Sequence, residues 1–238
     1  MKYNNMPSDI ANNLEQLKED FLSASSHELK TPLTSQKAFI QLLDQLVTQN
    51  NDQQYKRYIK KIADQNEKLS QLVNSLLDAS KIKDGRLLTN PTTFNLNTLI
   101  KEIIFDLNQA YEHSIILKES IDFEITTDKA KIDQVITNLI HNAVKYSSSK
   151  SEIIVTLTRQ KDSIIVSIKD SGIGIDQENL EHIFKPFYRI KGHKERTFPG
   201  LGMGLFISNE IIKHLGGRMW VESTKGNGSV FYFSLPQI

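Results

Sequence analysis

The stretch NLIHNAVKY (residues 138–146) sets two asparagines, Asn138 and Asn142, four residues apart inside an amphipathic run. Residues four apart lie on one face of an α-helix, and Lys145 and Tyr146 follow one turn further on. Asparagine is a mediocre helix former, so this pair calls for a reason. A carboxamide oxygen suits Mg²⁺, which also accepts phosphate oxygens, and a nearby lysine could meet a phosphate. A solvated polar stripe is the alternative.

A second string, DSGIGI (170–175), comes directly after an apolar strand pattern. An aspartate at a strand end, here Asp170, can accept a hydrogen bond from the exocyclic amine of adenine. Gly172 and Gly174 would let the backbone approach a flat base without a Cβ between them. Because short Gly-x-Gly strings are common, a plain turn is the competing interpretation.

The third string, GLGMGLF (200–206), has three alternating glycines that run straight into a predicted helix. Backbone amides at a helix N-terminus bind anions, so a polyphosphate is the natural occupant. The G-x-G-x-G spacing follows a polar, proline-containing loop, and therefore differs from the dinucleotide fingerprint. No Walker-A string occurs in the chain.

Between the second and third strings lies IFKPFYRIKGHKERTFP (183–199). Its Phe184 and Phe187 could hold one edge of a mobile loop, and its basic residues would then sit over phosphates. Such a loop is predicted to form a lid over the site.

The first third of the chain has a different periodicity. Apolar residues step by three and four on both sides of the polar turn QNNDQQ (49–54), which predicts two long amphipathic helices in a hairpin. Two helices bury little alone, so a four-helix bundle made by two copies of the chain is expected. Asn66 falls on the seam, where it either fixes register or faces partial solvent.

Within the first helix the string SSHELKTPL (25–33) contains His27, Glu28, Thr31 and Pro32. A proline in a helix interior costs about 3 kcal/mol, and this one removes the N–H that would bond the carbonyl of Glu28. We therefore expect the helix to bend there. A histidine is largely neutral at cellular pH and keeps one ring nitrogen as a nucleophile. Taken alone, it is more often a surface histidine.

The stretch KDGRLLTNPTT (83–93) breaks the helical pattern and is predicted to be a linker, which divides the chain into domains 1–86 and 87–238. The second domain is predicted to be an α/β structure with one layer of each. Its predicted helices are 96–111, 131–147 and 205–217, and its predicted strands are 121–127, 152–159, 163–170, 218–224 and 229–235.

Composition excludes several classes of protein. The 238 residues include no cysteine, which rules out disulfides and thiolate metal sites. A net charge of +1 argues against broad binding to nucleic acid or anionic membranes. No apolar run approaches the length of a membrane span, and no signal peptide is visible. The chain as written is expected to be cytoplasmic, with a membrane anchor only through an upstream segment.

The order NLIHNAVKYS, DSGIGI, IFKPFYR, GLGMGL resembles the N, G1, F and G2 boxes of sensor histidine kinases, and SSHELKTPL resembles their phosphoacceptor H box. The resemblance implies a dimeric helical hairpin attached to a two-layer ATP-binding sandwich of the gyrase type. It also implies ATP and Mg²⁺ as cofactors, autophosphorylation of His27, and transfer to an aspartate of a response-regulator receiver domain. The partner in the dimer would be a second copy of the chain.

The resemblance also implies a role for each matching position. His27 would be the phosphoacceptor and Glu28 the acid that orients and deprotonates it. Thr31 would serve phosphatase activity, although local hydrogen bonding to a carbonyl is a serious rival. Arg189 would approach the γ-phosphate, and Asn142 would bind the metal. The implied nucleotide-binding residues are Asn138, Asn142, Lys145, Tyr146, Asp170, Gly172, Gly174, Phe187, Gly200, Leu201, Gly202, Gly204 and Leu205.

Two other functions remain to be distinguished. A plain ATPase of the gyrase and mismatch-repair type would need a catalytic acid in the N-box helix, but that helix carries Thr137, Asn138 and Asn142 on its polar side, and Asp133 lies well upstream. The third possibility is a catalytically dead coiled-coil scaffold, which the intact glycines and both asparagines argue against.

Overall fold

The computed structural model describes residues 32–43, 57–63, 65–66, 69–70, 73–74, 77, 82, 88–148, 151–160, 162–190 and 202–236. The described residues fall into two compact units, one up to residue 77 and one from residue 82 onward. Several predicted features lie outside the described residues: His27, Glu28, Thr31, Gly200, Leu201, the turn 49–54 and the boundary at residue 86. Among the described residues, no helix combines the length and apolar character needed to cross a bilayer.

The first unit is helical. Residues 32–43 are helical, and so is every described residue from 57 to 77. The rings of Phe39 and Tyr58 lie 6.0 Å apart, and Gln36 Nε2 donates to Asn66 Oδ1 at 2.5 Å. Since the earlier residue of the first helix meets the later residue of the second, the two helices run antiparallel. The helical hairpin is therefore confirmed within the described residues, and Asn66 has a hydrogen-bonding partner across it.

The hairpin leaves many apolar side chains open to solvent. Leu33, Ile40 and Ile59 each expose half of their surface or more. A stripe of this kind on both helices is more apolar surface than an isolated hairpin would normally leave uncovered.

From residue 88 onward, the described part of the second unit contains three α-helices, one short 3-10 helix (Gln177–Asn179) and seven strands. The helices are α1 (Leu96–Ala110), α2 (Lys129–Tyr146) and α3 (Gly204–His214). The strands are β1 (Thr92–Asn95), β2 (Ser114–Glu119), β3 (Glu124–Thr127), β4 (Glu152–Gln160), β5 (Ser163–Lys169), β6 (Arg218–Ser223) and β7 (Ser229–Pro236).

Five of the strands form one sheet in the order β2-β4-β5-β7-β6. The β2–β4 pair is parallel and the other three pairs are antiparallel. Strands β1 and β3 form a separate antiparallel pair. As a result, the end of β5 and the start of β7 lie side by side at one end of the sheet's strands.

The core lies between the helices and one face of the large sheet. Alternate residues of the central strands are fully buried, including Val155, Val166 and Phe233, and Ile136 of α2 and Ile211 of α3 are equally buried. On the opposite face, the hydroxyls of Thr156 and Ser167 are hydrogen-bonded at 2.6 Å, and the rings of Trp220 and Tyr232 stack 5.1 Å apart. One apolar face and one polar face is the pattern of a two-layer sandwich, as predicted.

Two strands were not predicted from the sequence. Strand β1 begins at Thr92, so the last two residues of the predicted linker 83–93 belong to the sheet structure instead. Strand β2 had no counterpart in the prediction, and β3 begins at Glu124, three residues later than expected. Strand β2 is held at its open edge by a side chain: Asn108 Nδ2 donates to the Ile115 carbonyl and Asn108 Oδ1 accepts from the Ile115 amide, both at 2.9 Å.

Candidate functional site

Helix α2 carries the first group of predicted residues. Its start is fixed by Asp128, whose side chain accepts from the amide of Lys131 at 3.0 Å. The helix buries Ile132, Val135, Ile136, Leu139, Ile140 and Ala143 in the core. Asn138 and Asn142 are therefore left on the partly open side, with Tyr146 at the end of the helix and the ammonium of Lys145 5.2 Å from its ring centre.

Asn138 joins α2 to the first turn of α3. Its Nδ2 donates to Ser208 Oγ at 2.8 Å. Its Oδ1 lies so close to the backbone of Gly204 that a Cβ at that position would overlap it. A side chain where α3 begins would displace the Asn138 amide from this position, and Leu205 follows in the same turn. The side chain of Met203 makes no capping hydrogen bond, so within the described residues the first backbone amides of α3 are available to an anion.

Asp170 lies at the end of β5 with 4% of its surface exposed. Its Oδ1 accepts from the amides of Gly172 at 2.7 Å and Ser229 at 3.3 Å. Burial raises the pKa of this carboxyl above its ordinary value, and the two amide hydrogen bonds oppose that rise. Among the described residues both of these hydrogen bonds reach Oδ1, so Oδ2 is the oxygen that can accept from an adenine amine.

The loop after Asp170 is pressed between α2 and the β6–β7 turn. A Cβ on Gly172 would lie 2.5 Å from the carbonyl oxygen of Tyr146, and the amide of Ile173 donates to that same oxygen at 3.3 Å. Gly174 has a φ of 65°, and a Cβ there would overlap the carbonyl of Thr224. These close approaches to backbone carbonyls, together with the positive φ of Gly174, account for glycine at both positions.

Tyr188, inside the predicted lid segment 183–199, lies close to Gly202, just beyond that segment. Phe187 has a φ of 62°, unusual for a residue with a side chain, and Gly202 has a φ of 67°. A Cβ on Gly202 would lie 2.8 Å from the carbonyl oxygen of Tyr188, so these two residues pack directly against each other. The charge of Arg189 lowers the pKa of Tyr146 against the larger raising effect of burial, which places the guanidinium near the end of α2.

These residues suit a nucleotide with a magnesium ion. In the part of the chain that the structure describes, no group of three His, Cys, Asp or Glu side chains could hold a metal. The amide oxygen of Asn142 is a group that could hold a divalent ion here, together with phosphate oxygens and water. Mg²⁺ is commonly held in that way. Sequence reasoning missed Ser208 and Ser229, which serve this site through contacts with residues far away in the chain.

Comparisons with known proteins agree with this geometry. Residues 17–85 match the family model of the His Kinase A (phospho-acceptor) domain. Residues 127–238 match the model of histidine kinase-, DNA gyrase B- and HSP90-like ATPases. The catalytic domain of histidine kinase ThkA is 31% identical, with a TM-score of 0.54, over 62% of this chain and 96% of that domain. The chain belongs to the histidine kinase family.

Two curated sensor kinases are similar to nearly the whole of this histidine kinase chain. Sensor protein SrrB of Staphylococcus aureus (strain MRSA252) is 32% identical over 232 residues, which is 94% of this chain and 39% of SrrB. Sensor histidine kinase WalK of Bacillus subtilis (strain 168) is 29% identical over 228 residues, 94% of this chain and 37% of WalK. The chain thus spans about two fifths of the length of these relatives. ThkA solved in complex with response regulator TrrA has a TM-score of 0.66 and 26% identity over 96% of this chain and 64% of ThkA.

Membership of this family settles two of the predictions. The second unit is an ATPase-type domain, which implies that it binds ATP. The fold, a helical phosphoacceptor region followed by an α/β ATP-binding domain, is confirmed.

Proposed function

We propose that this chain is the catalytic core of a two-component sensor kinase. It transfers the γ-phosphoryl group of ATP to His27 and then to an aspartate of a response-regulator receiver domain. The observation that carries the proposal is Asp170, buried at the end of β5 and followed by Gly172 and Gly174, in a chain whose residues 17–85 match a phosphoacceptor domain. We place the division between the two functional parts after residue 86, and the protein's site of action in the cytoplasm.

In the proposed transfer a ring nitrogen of neutral His27 attacks the γ-phosphorus. The N–P bond forms as the bond from phosphorus to the ADP oxygen breaks, and ADP leaves with that electron pair. Glu28 accepts the hydrogen bond from the other ring nitrogen and takes up its proton as the ring becomes positive. Arg189 offsets charge on the phosphoryl oxygens, since phosphoryl transfer depends mainly on positioning and charge stabilisation.

Several chain residues would hold the nucleotide for this step. Oδ2 of Asp170 accepts from the adenine amine, and the backbone amides at Gly202 and Gly204 face the phosphates. Asn142 is the residue that would bind Mg²⁺, which when bound neutralises phosphate charge. Matching of family motifs assigns the remaining nucleotide contacts, including Lys145, Gly200 and Leu201.

We further propose a homodimer. The exposed Leu33, Ile40 and Ile59 of the helical unit support it, because a second hairpin would cover them. The response regulator is proposed as the second partner, supported by the complex of the related ThkA with TrrA. Thr31 is proposed to orient water for dephosphorylation, and Pro32 to let the helix flex between the kinase and phosphatase geometries.

A plain ATPase is the competing function. It needs an acid on α2 close to the γ-phosphate. Asp133 lies more than a full turn before Asn138, and its carboxylate accepts from Thr137 Oγ1 at 3.0 Å on the same helix. An Asp133 carboxylate that is held by Thr137 and lies a turn away from Asn138 is poorly placed to activate water at the γ-phosphate, which favours the kinase over the plain ATPase.

The kind of phosphorylated product decides between the two functions. The purified chain is incubated with γ-labelled ATP and Mg²⁺, and the labelled protein is treated with acid or with alkali. The kinase gives a label that acid removes and alkali leaves in place, as a phosphohistidine should. Label that survives acid, or release of free phosphate from an unlabelled chain, would overturn the proposal.

The affinity for ATP is expected to depend on pH through Asp170. Burial raises the pKa of this carboxyl above 3.8, so it becomes protonated, and loses its acceptor role, at a higher pH than an exposed aspartate would. The affinity should therefore fall as the pH is lowered toward that raised pKa. Titration of the chain with ATP by calorimetry over a series of acidic buffers measures this.

The Asp170→Asn variant supplies the matched control. Because the folded state holds the Asp170 proton more tightly than the unfolded state, its contribution to stability is present below pH 3.8 and is lost as the pH rises through the raised pKa. A neutral amide avoids that loss, so at pH 7 the variant should melt at the same or a higher temperature. Its ATP affinity should fall roughly 10- to 100-fold, the range for losing a hydrogen bond to a charged group. Unchanged affinity would show that Asp170 does not read the base.

A further inference from the structure

The β6–β7 turn supports the loop at residues 170–176, which we call the adenine-side loop. The amide of Gly226 in the turn donates to the carbonyl of Ile173 at 2.7 Å. The ammonium of Lys225 lies 2.7 Å from Asp176 Oδ2. The turn therefore contacts the middle and the end of the adenine-side loop.

Ser223, the last residue of β6, makes a more central contact. The amide of Ile175 donates to its hydroxyl oxygen at 2.8 Å, and the hydroxyl donates to the carbonyl of Gly228 at 2.8 Å. The hydroxyl of Ser229 lies 3.0 Å away and can donate to the second lone pair of Ser223. One donor and two acceptor positions are all that a serine hydroxyl offers, so this hydroxyl is held in a single orientation.

The same network reaches the start of the loop. Ser229, beside Gly228, exchanges hydrogen bonds with Asp170: its amide donates to Oδ1 at 3.3 Å, and its carbonyl accepts from the Asp170 amide at 2.9 Å. Gly228 is packed so closely against the Asp170 carbonyl that a Cβ would overlap it. Ser223 thus ties Ile175 at one end of the adenine-side loop to the backbone that holds Asp170 at the other.

The hydroxyl of Ser223 is additional to the sheet itself. The β6–β7 ladder pairs Ser223 with Ser229 through the backbone, and six residue pairs from Arg218↔Ser234 to Ser223↔Ser229 make up that ladder. Removing one side-chain oxygen leaves every backbone pair in place. Its loss should act on the adenine-side loop and leave the fold intact.

We propose that Ser223 is a positioning residue for the base of the bound nucleotide. It makes no contact with ATP, and it keeps the Asp170 carboxylate and the glycine backbone at the spacing that an adenine ring requires. Ser223 thereby contributes to ATP affinity and to the preference for adenine over guanine, whose carbonyl cannot donate to Asp170. The proposal rests on the nucleotide-binding role given to this site above.

The test compares Ser223→Ala with Ser223→Thr, which keeps the hydroxyl, and with Ser163→Ala as a matched control. Ser163 Oγ donates to the carbonyl of Gln160 at 3.1 Å in the β4–β5 turn, at the opposite end of the sheet. For each variant the dissociation constants of ATP and GTP are measured by calorimetry. The KM for ATP and the maximal rate of self-labelling are measured as well, together with amide hydrogen exchange at Ile175.

Ser223→Ala should weaken ATP binding and raise the KM about five- to ten-fold, the size expected for one lost hydrogen bond. The maximal labelling rate should stay within about two-fold, because the phosphate side of the site is untouched. GTP binding should change less than ATP binding, and exchange at Ile175 should become faster. Ser223→Thr should restore the wild-type values, and Ser163→Ala should match them.

Three results would overturn the proposal. They are an unchanged ATP affinity in Ser223→Ala, an equal loss in Ser163→Ala, and a collapse of the whole fold, since the role assigned to Ser223 is local. Failure of the proposed function has a separate signature, because then the wild-type chain itself would bind no ATP or would carry no label.

Discussion

The His27→Gln variant should bind ATP as tightly as the wild-type chain and carry no acid-labile phosphoryl label. Glutamine keeps a polar side chain of similar length but has no ring nitrogen with a nucleophilic lone pair, so no N–P bond can form. The described residues proposed to hold the nucleotide, from Asn138 to Leu205, all belong to the second unit, so the substitution leaves them unchanged. Self-labelling with γ-labelled ATP should fall to background while calorimetry gives an unaltered dissociation constant.

His214→Gln is the matched control for this experiment. His214 is exposed in the last turn of α3, and replacing it removes an imidazole with no proposed role. This variant should label like the wild-type chain. Acid-labile label that persists in His27→Gln would mean that another histidine accepts the phosphoryl group.

The Asn142→Ala variant should lose at least about 100-fold in labelling rate, because the only metal ligand proposed from the protein is gone and phosphate charge is no longer offset. The fold should survive. Asn142 is partly exposed, and alanine is the better helix former. In wild type, Mg²⁺ should tighten ATP binding; in the variant, calorimetry with and without Mg²⁺ should give nearly the same affinity.

Gln134→Ala provides the control on the same helix. Gln134 carries the same amide group eight residues before Asn142, and its carbonyl accepts from Lys131 Nζ at 3.2 Å. Its replacement should leave both labelling and the effect of Mg²⁺ intact. If Asn142→Ala retained a full magnesium effect on ATP affinity, the metal would have to be bound by another group.

Sequence patterns predicted the central sheet well for a physical reason. Strands β4 and β5 have one buried and one open face, so apolar and polar residues alternate at a period of two. Strand β2 escaped prediction because its pairing partner β4 begins more than thirty residues later, and a short run such as SIILKE has no pattern of its own that separates strand from loop. Strand β1 was not predicted because Asn90 and Pro91, directly before it, are typical of a linker.

The candidate site could be predicted only where its functional residues lie close together in the sequence. Asp170 and its two following glycines form a compact motif, and so do the asparagines of α2. Ser208 and Ser223 carry no such signal, since each acts on a residue 70 or 48 positions away in sequence. The left-handed backbone of Phe187 was equally invisible, because nothing about a phenylalanine in sequence indicates a positive φ.

The two hydrogen bonds between the Asn108 side chain and the Ile115 backbone affect which strands can pair with the open edge of β2. An open sheet edge is a template for a foreign strand, and natural proteins interrupt or cover such edges. The Asn108 side chain already occupies both backbone hydrogen-bonding groups of Ile115. A second strand could therefore not form a continuous ladder of backbone hydrogen bonds along β2. Lys118 and Glu119 add charged side chains at the C-terminal end of β2. If two copies associate as proposed, this edge of the ATPase-type domain would therefore be a poor template for a strand from the other copy.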